Sequence, residues 1–175
     1  MDDRLKETGR GAYAAIDEMV TALDVDYARL EELREERQAF LDQLAESWST
    51  IERGRISDEF KEWKEAYEDE LKELDAASND CADWEDAQRR IHEDALSIEV
   101  RTGWYSIGAR PDSFEFNILL TTGGPAVRIM GELDDNREPA RAWLEIQDWG
   151  TPWTRYYDAS QAVLLAYARC FYFGE

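Results

Sequence analysis

Carboxylates dominate the chemistry this chain can do. Residues 31–36 read EELREE, and Asp58, Glu59, Glu62, Glu65, Glu68, Asp69, Glu70, Glu73 and Asp75 follow between 58 and 75. On a helix, carboxylates four residues apart stand about 6 Å apart along the axis, and those seven apart about 10 Å. That range brackets the spacing of phosphates along a nucleic-acid strand. Glu31, Glu32, Glu35, Glu36, Asp58, Glu59, Glu62, Glu65, Asp69 and Glu73 are therefore the candidate partner-binding residues, a charged rod suited to a basic groove meant for DNA or RNA. The competing reading is a solvated face, softened by Lys61–Glu65, Lys64–Glu68 and Glu68–Lys72 pairs at helical spacing.

A second constellation lies in WLEIQDWGTPWT, residues 143–154. Trp143, Glu145, Asp148, Trp149, Trp153 and Tyr157 form a candidate pocket or secondary surface. A catalytic carboxylate needs an enclosure that shifts its pKa, and this is the most enclosed acidic setting in the chain. Glu145 shares strand parity with Trp143, Gln147 and Trp149. Asp148 is placed to bond the turn amides at Trp149–Thr151. The structural reading is favoured here: a corner that seats the last helix on a sheet. Cys81, His92 and Cys170 stand singly, with no CxxC, HxxxH or HExxH, so no metal site or cofactor is expected. A Cys–His nucleophile pair would require one of the two thiols to meet His92 in space. TTGGPAV reads as a hairpin turn, because a β-run follows it and no lysine is near.

The charge balance bears on partners. Forty Asp/Glu face twenty Lys/Arg, net −20. Such a field repels nucleic acid and anionic membranes and attracts basic surfaces. Residues 1–95 hold 29 acids and 13 bases, whereas residues 96–175 hold 11 and 7. The aromatic second part lacks the basic background for stacking on nucleic acid, and Arg101, Arg110, Arg128, Arg141 and Arg155 can pair with strand neighbours such as Glu99, Glu115 and Glu145. Two cysteines make no disulfide framework. Reduced thiols, no apolar leader and no long apolar run predict a soluble cytoplasmic protein.

The elements that must position these groups follow from periodicity. Ile16, Met19, Val20 and Leu23 predict a helix over 12–23. Asp24 or Asp26 then caps a second, long and half-exposed helix carrying Tyr27, Leu30, Leu33, Phe40, Leu41 and Leu44. SWSTIERGRISD (47–58) reads as a break, with a third helix from Asp58 to about Ala77 carrying Phe60, Trp63, Tyr67, Leu71 and Leu74. A short helix is expected around Trp84–His92. The period then falls to two, predicting strands through Leu96–Trp104, Phe114–Leu120, AVRIMGEL and ARAWLEIQDW, with a loop at GARPDS and turns at TTGGP and DDNREP. Ser160–Cys170 reads as a final helix. The expected fold is α+β: an acidic helical arm over 1–94, then a four-stranded antiparallel sheet covered by a C-terminal helix over 95–175.

GGPAVRIMGEL, RAWLEIQDWGTPWT, the terminal FYFGE and the front DYARLEELREER resemble an uncharacterised family of acidic proteins of bacterial mobile elements and phages. The resemblance covers the β-rich part well and the front helix partly. It implies a setting in a bacterial host rather than an activity, since small proteins of such elements often block host defence and some acidic ones mimic DNA. The expectation is a non-enzymatic inhibitor whose arm occludes the basic groove of a nucleic-acid-handling complex, such as a CRISPR effector or restriction enzyme. It would bind neither nucleic acid directly nor membrane, and the sheet unit would serve as scaffold, second contact or homodimer surface. The alternatives are a structural or accessory dimeric module whose acidity serves only solubility, and a small enzyme or ligand-binding domain at Trp143–Tyr157.

Overall fold

The computed structural model describes residues 3–104, 106–108 and 114–174. The chain is an α+β protein with five helices and one five-stranded antiparallel sheet among the described residues. The elements are α1 (Asp3–Leu23), α2 (Tyr27–Glu46), α3 (Thr50–Ser78), α4 (Trp84–Asp94), β1 (Ser97–Thr102), β2 (Phe114–Thr121), β3 (Ala126–Leu133), β4 (Pro139–Gln147), β5 (Thr154–Tyr156) and α5 (Gln161–Ala168). The loop expected at 108–113 lies, from Ala109 onward, outside the described residues, as do Arg110 and Glu175.

The strand count corrects the expected four. The fifth strand, Thr154–Tyr156, pairs with Leu144–Ile146 of β4. Three residues are too few for an alternating pattern to register. The break expected at 47–58 shrinks to Ser47–Ser49, and α3 runs straight through Gly54 and Ser57. Gly54 costs the helix conformational entropy but interrupts nothing. Helix α1 begins at Asp3 rather than near residue 12, with Leu5 already buried.

Packing divides the chain into two units: residues to Val20 together with Gln88 onward, and Thr21–Ala87. The expected division at 94/95 follows charge and periodicity, whereas contacts place most of α1 with the sheet.

In the sheet unit the strands follow chain order, β1-β2-β3-β4-β5, a meander. Alternation puts Phe116 and Ile118 of β2, Val127, Ile129 and Leu133 of β3, and Ala142, Leu144 and Ile146 of β4 on one buried face. Onto that face α5 brings Leu164 and Tyr167, and the tail brings Phe173 against Phe116 (ring centroids 4.8 Å apart). Gly9 lets α1 come close: a Cβ there would run into Tyr156 and Ile146. The Tyr167 hydroxyl donates to Asp94 Oδ2 at 2.7 Å, tying α5 to the end of α4. Burial, with the Asp94 carboxylate beside it, pushes that phenol well above its usual pKa.

In the helical unit Asp26 caps α2 by accepting from Arg29 N at 3.0 Å. Leu30 and Leu33 of α2 meet Phe60, Trp63 and Leu71 of α3, flanked by Phe40, Leu44 and Leu74. A smaller cluster joins Ala22, Cys81 and Ala87 under Tyr27. The Tyr27 hydroxyl donates to Ala22 O at 3.0 Å. Its pKa is pushed up to about 12, by burial first and then by Cys81.

Two glycine substitutions separate these environments. At Gly131 an added Cβ would strike Phe116 and the Arg141 carbonyl, so Gly131→Ala is expected to destabilise the fold by about 1–3 kcal/mol. At Gly54 the space is open, and Gly54→Ala is expected to stabilise α3 by about 1 kcal/mol. Urea unfolding followed by circular dichroism checks both signs.

Candidate functional site

The ten candidate carboxylates all lie on α2 and α3, and all are exposed. With 3.6 residues per turn, Asp58, Glu62, Glu65, Asp69 and Glu73 fall on the side of α3 opposite its buried Phe60–Trp63–Leu71 stripe. They form a column about 22 Å long at 1.5 Å per residue. Glu31 and Glu35 occupy the corresponding outward side of α2. Glu32, Glu36 and Glu59 are engaged: Glu32 by Arg29 at 2.7 Å, Glu36 by the Trp63 indole at 2.7 Å, Glu59 by Arg55 at 2.7 Å.

Residues 21–87 hold 22 acids and 8 bases, net −14. Seven of the eight bases are occupied inside the unit. Arg29 grips Glu70 with two hydrogen bonds, 2.9 and 3.1 Å, and lies over the Tyr67 ring. Arg34 pairs with Asp75 at 2.5 Å, and Arg53 donates to the Leu44 carbonyl at 3.2 Å. Arg55 meets Glu59, Lys61 meets Glu65 at 3.9 Å, and Lys72 meets Asp69 at 3.3 Å. Lys64 sits over the Phe60 ring at 4.4 Å rather than on Glu68. Of the three local pairs read from spacing, only Lys61–Glu65 forms. Glu68 instead keeps one covered oxygen, Oε2, with no hydrogen-bond partner. Among the described residues Glu31, Glu35, Asp58, Glu62 and Glu73 meet no base.

The turn between α2 and α3 and the first turn of α3 each add one residue that pattern reading passed over. Trp48 and Ile51 are almost fully exposed. The available signal was a tryptophan inside a Ser/Thr turn, where no core position exists.

The Trp143–Tyr157 constellation resolves into a self-satisfied outer sheet face. Trp143 and Glu145 share parity with Gln147, as expected, while Trp149 lies beyond the strand end. Glu145 Oε1 accepts from the Trp143 indole at 2.9 Å, and Oε2 accepts from Arg128 Nε and Nη2 at 2.9 and 2.6 Å. The side chains of Arg128 and Glu145 are only 22% and 18% exposed. Arg128 also covers the Trp153 ring at 4.1 Å, and Arg155 lies 5.2 Å from Trp143 and 5.6 Å from Tyr157. With both oxygens engaged, Glu145 ties the outer sheet face together. Asp148 organises the turn as read from the sequence. Its Oδ1 accepts from Trp149 N at 2.9 Å, its carbonyl accepts from Thr151 N at 3.0 Å, and Gly150 takes the positive φ of +72°. Arg4 reaches Asp148 at 3.3 Å. Trp149 and Tyr157 are exposed, and the Trp149 ring rests on Gly124.

His92 approaches Cys170 through the carbonyl oxygen, at 2.6 Å, while Cys170 Sγ faces Ala166 O. Burial pushes the Cys170 thiol up, away from the thiolate a nucleophile needs. Among the described residues no group of three or more His, Cys, Asp or Glu is placed to hold a metal. None of their helices is long and apolar enough to cross a membrane. Comparison of the chain with protein-family models, curated proteins and solved structures finds no match.

The Arg29–Glu70 clamp has a pH signature. Hydrogen bonds from Arg29 hold the Glu70 carboxyl below its usual range. Its contribution is therefore present above the ordinary carboxylate pKa and lost as pH falls through the depressed folded value. Between about pH 5 and pH 3, the wild type is expected to lose more helical stability than Glu70→Gln, measured by urea midpoints at each pH.

Proposed function

We propose that this chain is a non-enzymatic interaction protein whose helical hairpin occupies a basic, nucleic-acid-binding surface of another protein. The observation that carries this reading is the disposition of charge on α3. Seven of the unit's eight bases turn to its own carboxylates, rings and carbonyls, while the outward column from Asp58 to Glu73 keeps three members with no base beside them. A face needed only for solubility gains from interspersed charges of both signs. An excess of unpaired carboxylates on one face creates a directional field that steers a complementary partner. The resemblance to acidic proteins of mobile elements and phages suggests the setting, inhibition of a host defence complex such as a CRISPR effector or restriction enzyme.

The sheet unit is the scaffold in this reading. A pocket enzyme is less well supported, because the Glu145 carboxylate is saturated by Trp143 and Arg128.

Reversing Glu62, Glu65, Asp69 and Glu73 together to lysine is expected to abolish capture of the partner from bacterial lysate while leaving the circular dichroism spectrum unchanged. The wild-type complex should weaken sharply as salt rises from about 0.05 to 0.5 M, as the Debye length contracts, and duplex DNA should displace it. Undiminished capture by the fourfold variant overturns the reading. Trp48 supplies apolar contact at the end of the same hairpin, so Trp48→Ser is expected to weaken binding about tenfold, about 1.4 kcal/mol, without changing its salt dependence in a titration series.

A further inference from the structure

The sheet ends in an open edge. Strand β1 pairs with β2 on one side, and among the described residues no strand lies on the other. Ile98 and Val100 continue the row that is buried in β2, β3 and β4, opposite Ile118 and Phe116, yet they remain 41% and 39% exposed. Glu99 and Arg101 alternate with them on the outer face. An edge strand with apolar residues on one face and exposed backbone groups is a template for another strand. At the other edge β5 has three residues, too few to offer the same template.

The sequence of β1 selects its own partner. In an antiparallel two-fold pair, directly opposed residues point to the same face. A two-fold centred on Glu99 opposes Glu99 to itself, and one centred on Arg101 opposes Arg101 to itself. Centred on Ile98, the pair leaves both charges without a complement, opposing Glu99 to Ser97 and Arg101 to Ala95. Centred on Val100, both charges are complemented: Glu99 meets Arg101 twice, while Val100 meets Val100 and Ile98 meets Thr102. The same register carries outward to set Leu96, 57% exposed, opposite the fully exposed Trp104.

We propose that β1 is a homodimer surface, joining two copies antiparallel about Val100 into a continuous ten-stranded sheet. Within one chain Arg101 already bonds Glu115 at 2.6 Å, and Asn117 donates to Glu99 at 3.0 Å. These contacts hold both charges on the outer face, in line for the second copy. The sheet unit carries 18 acids and 12 bases, net −6, so the repulsion between copies is much weaker there than at the helical unit with −14.

The test is a charge swap read by sedimentation equilibrium of the full chain. The wild type is expected to sediment as a dimer. Glu99→Arg and Arg101→Glu should each sediment as monomers, because each variant opposes like charges twice. The double variant E99R/R101E should restore the dimer. Circular dichroism and thermal midpoints establish that each variant is folded, and hydrogen exchange on the wild type should show β1 amides gaining protection as concentration rises. A wild-type monomer, dimeric single variants, a double variant that stays monomeric, or β1 amides whose exchange ignores concentration would each overturn the proposal.

Discussion

The helical unit depends on an apolar seam that must hold two highly acidic helices together with few positive charges to offset their repulsion. In residues 21–87 eight bases face 22 acids. Two helices with that imbalance repel along their length unless the bases are placed where they bridge. Arg29 and Arg34 on α2 reach Glu70 and Asp75 on α3, and the aromatic run of Phe40, Phe60, Trp63 and Tyr67 fills the seam between them. Exposed pairs of this kind contribute little individually. Apolar burial therefore supplies most of the stability, and the arginines set which carboxylates are neutralised. The outward column on α3 is what this allocation leaves over.

The sheet unit handles its charges differently. On its outer face Arg101 pairs with Glu115, Arg128 with Glu145 and Arg141 with Glu132, all across adjacent strands. Cross-strand pairs of opposite sign stabilise the meander and leave little field. Tryptophan indoles and arginine planes then cover one another, as at Arg128–Trp153 and Arg155–Trp143. The sheet face is largely paired, whereas Asp58, Glu62 and Glu73 on the helix face meet no base, and this contrast supports placing the interaction surface on the hairpin.

Much of this was legible in the sequence where periods were long. The Phe60–Trp63–Tyr67–Leu71–Leu74 stripe announced α3, and the alternation through Phe116–Ile118 and Ile129–Leu133 announced the central strands. Errors arose where local chemistry and tertiary packing disagree. Gly54 with Ser57 looked like a helix break, but packing of Ile56 carries the helix through. The helix read over 12–23 missed the first half of α1, where Gly9 allows close approach to Tyr156. β5 had no room for a period. At β1 the alternation was correct but burial did not follow, since no pattern within one strand reveals that it stands at an edge. The ten carboxylates were readable as exposed. Those of the ten that meet a base, Glu32, Glu59, Glu65 and Asp69, find it three or four residues away, whereas the pairing of Arg29 and Arg34 with Glu70 and Asp75, 41 residues on, had no local signal.

The central claim is that the outward column of α3 meets a basic surface. Zero-length carbodiimide cross-linking, which joins a carboxylate to a lysine in direct contact, tests it most directly when the protein is bound to its partner in lysate. The account predicts cross-links from Glu62, Glu65, Asp69 or Glu73 to partner lysines that duplex DNA protects. Cross-links confined to carboxylates of the sheet, such as Glu115 and Glu132, would contradict it.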